Sequence, residues 1–405
     1  MTRLLTIAWR NVWRHPARSM VIIMSVALGL WAGMFVMSFY VGFGEERVAS
    51  AIETEISHIQ IHHPKFKDDE DVRFSIPNAA RVTSVVRSLP QVAAISPRLI
   101  ARGMIGSANG STGVEVNGVD PQDEARVTKL PTKLIDGKYF PGQKHNELLV
   151  GQKLAQKLKA RIGSKLVVTL LDTSGNIVAG AFRVAGIFRT KNEPYDERNV
   201  FALSSDLDGL FGVDSLCTEI AVLLHTSTQV DTVAPELAKK FPQLLVQDWR
   251  SISPELDLVV SSIDMTMYIF MGIVLLAMAF GIVNTMLMAV LERTREIGML
   301  IALGMNRRRV FGMIVSETFF LVLVGCPVGM LMTFATVSYF GKYGIDISAF
   351  QQSLRAFGYE DVVYPKLGAE HYVLVLVLVA VTAFLSAMFP ARKALKLQPA
   401  EAIRK

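Results

Sequence analysis

The sequence predicts a polytopic α-helical membrane protein with four transmembrane helices and a large α+β domain between helices 1 and 2. Three observations carry this. Four long runs are almost free of charge. Basic residues gather in three short segments that flank those runs. A stretch of about 220 residues between the first two runs alternates strand and helix patterns, long enough for a core of its own. The composition agrees: of 405 residues 51% are hydrophobic, and the mean hydropathy is +0.36.

The runs come first. A helix needs about 20 apolar residues to cross a ~30 Å hydrocarbon layer. Residues 20–43 and 265–291 carry no charge, 311–340 carries only Glu317, and 372–389 carries none. The first run is too long for the apolar part of a signal peptide, and no small-residue cleavage site follows it, so it reads as a retained anchor. Orientation follows from the basic residues. Segments 1–19, 292–310 and 390–405 hold fourteen Lys and Arg against three acidic residues. Short basic loops stay in the cytoplasm. The termini and the 292–310 loop are therefore expected inside, and 44–264 and 341–371 outside. The 44–264 segment has 25 basic and 28 acidic residues. The net +6 of the chain thus belongs to one membrane face, where a basic rim beside anionic lipid accounts for it without a nucleic-acid partner.

Within 44–264 the elements follow in order. "GEERVASAIETEIS" continues as a helix, since Glu45 to Ser57 contains neither Gly nor Pro. "HIQI" alternates as a strand and Pro64 stops it. A helix follows, with Asn78 as N-cap and Pro90 at its end. Two strands turn at "ANGS". "ELLVGQKLAQKLKARIG" reads as a strand and then a helix with Leu154 and Leu158 on one face. Two more strands turn at "SGN", so 130–190 is a candidate β-rich insertion. "VFAL", "EIAVLLH", a helix near 229–240 and "LLVQDW" close the domain. "DWRSISPELDLVVSSID" then leads into the second run as a helix.

Few residues suggest chemistry. His58, His62 and His63 sit on a strand, His58 and His62 on one face, but no Cys or carboxylate completes a metal set, so surface histidines are the expectation. Cys217 and Cys326 fall in different segments and predict no disulfide. No spacing resembles a catalytic constellation. No G-x-x-x-x-G-K-[ST] phosphate loop occurs, so no cofactor is expected in this chain. Glu317 and Asn284 are intramembrane polar candidates. Glu317 is expected to snorkel to the basic inner end or to pair with an arginine such as Arg309, and Asn284 to bond across a helix interface. Gly272, Gly281, Gly325 and Gly329 read as close-packing positions, and Gly325-Cys326-Pro327 as a kink.

The loop "ERTREIGMLIALGMNRRRV" (292–310) followed by Glu317, the end "FPARKALKLQPAEAIRK" (389–405), "LLVGQKLAQKLKARIGSKLVV" (148–168) and "IAWRNVWRHPARS" (7–19) together resemble the FtsX-like permeases of MacB-type and lipoprotein-releasing ABC transporters. The resemblance covers nearly the whole chain. It implies a bacterial inner-membrane permease subunit with a periplasmic MacB-like domain. Such a subunit works with a separate ABC ATPase that binds ATP and Mg, and with a second permease copy or a paralogue. A periplasmic adaptor or chaperone is a candidate partner. It also implies that the loop after the second helix is a coupling helix, with Glu292, Arg293, Arg295, Glu296, Ile297 and Gly298 as its coupling residues. The physics is compatible: Leu300 and Leu303 lie on an apolar face, and Gly304 can end the helix. An ordinary topology-setting loop is the plainer alternative. Extraction or release of lipoprotein, efflux with an adaptor, and FtsX-type control of an outer hydrolase all remain readings of the resemblance. The stiff connections around 44–57 and 248–264 point to mechanical transmission.

Overall fold

The computed structural model describes residues 2–14, 16–142, 146–213, 215–359 and 361–395. The chain forms two compact units. One comprises 1–44, 261–346 and 362–405, the other 45–260 and 347–361.

Helix α1 (Thr2–Arg14) is amphipathic. Its Ala8 and Val12 are buried, and Trp9, Arg10, Trp13 and Arg14 are exposed. Helix α2 (Pro16–Ala51) contains the first apolar run and continues well beyond it. The last turn widens into a π-turn (Ile52–Ile56), and Ser57, at φ +59°, returns its N–H to the Ile52 carbonyl.

The inserted unit is built on one ten-stranded sheet. Its elements are β1 (Ile59–His62), α3 (Phe66–Asp69), α4 (Ala79–Arg87), β2 (Val92–Ser107), β3 (Gly110–Val119), α5 (Pro121–Thr128), β4 (Leu134–Gly137), β5 (Glu147–Gly151), α6 (Gln152–Leu158), β6 (Lys165–Leu171), β7 (Ile177–Phe188), α7 (Glu193–Arg198), β8 (Asn199–Leu203), α8 (Ser204–Phe211), β9 (Glu219–Leu224), α9 (Val230–Lys240), β10 (Leu245–Asp248) and α10 (Trp249–Ile252). The strand order is β10-β1-β9-β2-β3-β8-β5-β7-β4, with β6 pairing β2 and β7.

Strand β2 explains the two-lobed core. Its first half pairs with β9 and its second half with β3 and β6. Ile95 packs with Ile59, Val86, Val222 and Leu237 beneath α4 and α9. Leu99 and Ile105 pack instead with Leu148, Leu158, Leu166 and Phe182. The alternation of β6, with Leu166, Val168 and Leu170 buried, sets its register.

Two local expectations change. Asn78 precedes α4 at φ +54° and its side chain makes no capping bond; its carbonyl accepts from Arg81 and Val82 instead. His58 and His62 are not surface residues, whereas His63 is half-buried and stacks on Phe74. His58 is buried with Nδ1 accepting from Leu224 N–H, and Nε2 lies 3.1 Å from the Ser227 hydroxyl. His62 is buried against the Thr218 carbonyl and Gln60. Burial holds both rings below the usual histidine value, opposed by Glu53 at His58 and by Glu219 at His62. Among the described residues no three His, Cys, Asp or Glu side chains converge as a metal site.

The remaining helices are α11 (Pro254–Glu292), α12 (Thr294–Ala302), α13 (Arg307–Tyr343), α14 (Gln351–Ala356) and α15 (Ala369–Leu395). Four helices, those containing 16–51, 254–292, 307–343 and 369–395, are long and apolar enough to cross a membrane. The 341–371 loop carries a short hairpin, β11 (Ile345–Asp346) with β12 (Val362–Val363), and α14. Gly325 and Gly329 explain how α2 and α13 approach. A Cβ at Gly329 would lie 2.7 Å from the Ala27 carbonyl, and one at Gly325 would lie 3.0 Å from that of Ile23. A Cβ at Gly281 would meet only the Ser25 hydroxyl, at 3.6 Å, and one at Gly272 would meet no other element among the described residues. Helix α13 runs through Pro327 without a break in its assignment.

Candidate functional site

The charged loop between the second and third long helices folds into a defined corner. Arg293, at φ −99° and ψ 20°, interrupts the helix and separates α11 from α12. Gly304, at φ +92°, turns the chain after α12, a backbone position that glycine takes without steric penalty. Asn306 then caps α13, its side-chain oxygen accepting from Arg308 N–H at 3.0 Å.

Three ion pairs surround this corner. The Arg293 guanidinium donates to Glu317 Oε1 at 3.0 Å, with the side chains only 12% and 11% exposed. Glu317 therefore pairs with Arg293 and not with Arg309, which is exposed on α13. Reach explains it: Arg293 stands at the α11–α12 break and extends toward the buried face of α13, whereas Arg309 points outward from the first turn of that helix. Arg293 also approaches the Asn11 carbonyl of α1 at 3.5 Å, while its Nε is buried without a partner. The other two pairs reach the N-terminal segment: Arg14 meets Glu296 at 3.2 Å, and Arg18 meets Glu292.

Ile297 and Gly298 are buried, whereas Arg295, Met299, Ala302 and Leu303 are exposed. A cleft of about 450 Å³ opens here, lined by Asn11, Arg14, Arg293, Glu296 and Glu317 and by apolar side chains that include Met286, Met313, Met299 and Leu303. The arrangement is a short helix held by ion pairs at its N-terminal end, with Met299 and Leu303 exposed at the mouth of the cleft and Arg295 exposed beside them. The sequence-predicted residues thus divide. Arg293, Glu296, Ile297 and Gly298 turn toward the bundle or its clasp, Glu292 joins Arg18, and Arg295 stays free. Asn284 lies elsewhere, exposed on α11, and the cross-helix bond expected for it is not made among the described residues. The C-terminal signature beyond residue 395 lies outside the described residues.

The inserted unit holds a second hollow, of about 620 Å³, lined in part by Arg102, Glu115, Tyr195, Arg198 and Asn199. Burial, then the neighbouring Glu219 and Glu70 carboxylates, pushes Glu115 up to about 7, opposed by Arg102 and Lys67. Behind it Arg98 is almost completely buried, with bonds of 2.8 Å to both Glu124 and Glu219.

A family model described as the MacB-like periplasmic core domain matches residues 19–240, and one described as the FtsX-like permease C-terminal matches 268–399. The chain belongs to the MacB-type FtsX-like permeases. It is an ABC transporter permease, a multi-pass membrane protein with an extracytoplasmic domain. The permease is 24% identical to the lipoprotein-releasing system transmembrane protein LolC of Neisseria meningitidis, over 95% of this chain and 94% of that one. It is 23% identical to LolE of Haemophilus influenzae over 78% of each chain. It is 24% identical to the macrolide export ATP-binding/permease protein MacB of Bdellovibrio bacteriovorus, over 82% of this chain but 50% of that longer protein. Among solved structures, the periplasmic region of MacB from Actinobacillus actinomycetemcomitans aligns with 53% of the permease and 95% of that chain, at 13% identity and a TM-score of 0.36.

Sequence reasoning missed α1 and with it Arg14 as the partner of Glu296; the partner of Glu292, Arg18, stands in the first turn of α2. The signal was present. Ala8 and Val12 lie four residues apart on one side of an otherwise basic segment, and Trp9 and Trp13 repeat at the same spacing.

Proposed function

We propose that the permease couples ATP hydrolysis by a separate ATPase subunit, which holds ATP and Mg, to a conformational change of its extracytoplasmic domain, and that it extracts or releases lipoprotein or a related lipophilic substrate. The observation that carries the substrate class is the likeness to a lipoprotein-releasing transmembrane protein over nearly the full length of both chains. Export with an adaptor is the second reading, favoured by the likeness to a macrolide and a pyoverdine export protein.

In this reading both termini and the 292–310 loop are cytoplasmic, in the bacterial inner membrane, because the basic residues gather there. The α12 corner receives the ATPase. Its ion pairs and buried Ile297 make it stiff enough to pass a push into α11 and α13. Helix α2 runs without Gly or Pro from Glu45 to Ala51, and α11 begins eleven residues before its apolar run. At ~1.5 Å per residue such extensions carry movement over roughly 10–20 Å. Four helices form too little wall for a transport path, so two copies, or a copy and a paralogue, act together. The exposed Asn284 on an apolar helix supports a protein neighbour there, since a polar amide facing lipid is unfavourable. Depletion of the permease tests the substrate class. Lipoproteins destined for the outer membrane are expected to accumulate in the inner one. Normal lipoprotein sorting with impaired drug or siderophore efflux would replace the first reading with the second.

A further inference from the structure

We propose that Glu292 and Glu296 are positioning residues that tie the α12 corner to the N-terminal segment, and that the ATPase-facing surface is the exposed stripe Arg295–Met299–Leu303, which fits an apolar cleft with an acidic rim. The inference rests on the coupling reading and changes which side chains carry it.

Both loop glutamates are already engaged, by Arg18 and Arg14. Exposed pairs of this kind each contribute little on their own. Here they act beside the Arg293–Glu317 pair and the Arg293 contact to α1, so four neighbouring contacts define one orientation of the α12 corner. The remaining surface is different in kind. Arg295, Met299 and Leu303 follow at i, i+4 and i+8 and so share one helix face. All three are exposed, Leu303 at 86%. Around them Arg295, Arg307, Arg308 and Arg309 are exposed and form no ion pair among the described residues.

With the two acids of the loop occupied, the rim is cationic and its complement is acidic. An anionic membrane surface is the rival occupant. A helix that lies on a membrane has a long apolar face with aromatic residues. Helix α1, with Trp9 and Trp13, has that character, whereas α12 offers a short knob ended by the Gly304 turn. Such a knob suits a pocket in a folded partner, where a few buried side chains dominate binding.

The test places a photo-crosslinking benzoylphenylalanine at 292, 296, 299 or 303 of the full chain in its native membranes, with adducts identified by mass spectrometry. Positions 299 and 303 are expected to capture a polypeptide carrying a nucleotide-binding phosphate loop, and position 296 to yield an internal adduct with α1. Leu303→Asp is expected to reduce the adduct from 299 about tenfold, while Leu303→Met preserves it. Glu296→Arg is expected to lower ATP hydrolysis by the complex, and adding Arg14→Glu to restore it to within about twofold, since the pair is then reversed. Phospholipid adducts from 299 and 303, or capture of the ATPase from 292 and 296 alone, would overturn the surface. Failure of the charge reversal to restore hydrolysis would overturn the clasp. Capture of the ATPase from another part of the chain and from no loop position would remove the coupling reading itself.

Discussion

Arg98 and Arg293 are both buried arginines paired with glutamate, and their surroundings differ instructively. Arg98 lies on β2 where the two lobes of the extracytoplasmic domain meet, and it is 4% exposed between Glu124 and Glu219, themselves 0% and 3% exposed. Burial alone lowers its proton affinity, but the two carboxylates outweigh that and push it up. Ser96 adds a hydrogen bond to Glu124. Every partner belongs to the same sheet or to the helix beside it. Arg293 has one carboxylate, one distant carbonyl and a buried Nε without a partner among the described residues, and it lines a cleft. The first network is closed and structural. The second is open on one side, beside exposed apolar and basic residues, as a site that must receive another molecule would be.

That contrast predicts a ranking. Removing one member of a buried pair strands the other charge, at about 3–5 kcal/mol. Arg98→Ala strands two carboxylates with almost no exposure, so its loss belongs at or above the top of that range. Glu317→Ala strands one arginine at the edge of a cleft, near the lower end. The amount of full-length chain in the membrane and its thermal unfolding measure both. Equal losses would erase the distinction between the closed and the open network.

A smaller effect concerns pH. Glu115 has a folded value raised to about 7 from an ordinary 4.5. A carboxyl raised on folding binds its proton more tightly in the folded state, so its contribution favours folding at low pH and is lost as pH rises from about 4.5 through about 7. Glu115→Gln is therefore expected to gain stability relative to the parent across that window and to level off above it. Unfolding of the full chain in detergent at pH 5 and pH 8, compared between variant and parent, measures the difference. A constant difference would mean that Glu115 does not titrate there.

The same contrast shows what the sequence could reveal. The alternation of "KLVVTLL" and the apolar spacing of Leu154 and Leu158 reflect local geometry, and those elements stand where the pattern puts them. The four long runs were equally plain because a membrane requires uninterrupted apolar helix. The site was legible as a place but not as a set of contacts. Glu292 and Glu296 looked like free polar groups because Arg14 and Arg18 are more than 270 residues away in the chain. The Arg14 pair depends on α1 and the Arg18 pair on the first turn of α2, and both arginines belong to a basic tail that charge counting treats as topology alone. Arg309 looked like the partner of Glu317 because it is near in sequence, yet the break at Arg293 decides the geometry.

The central claim is that work done at the α12 corner reaches the extracytoplasmic domain through stiff helices. An insertion of several Gly and Ser residues after Glu45 tests it most directly. Glu45 is exposed on α2, whereas Ala51 is buried in the first-lobe core and would confound the result. A flexible segment there interrupts α2 and leaves the 292–310 loop untouched. The account predicts that ATP hydrolysis by the purified complex in membranes persists while substrate release falls at least about tenfold. Release at the parent rate, with the insertion verified in the purified chain, would contradict it.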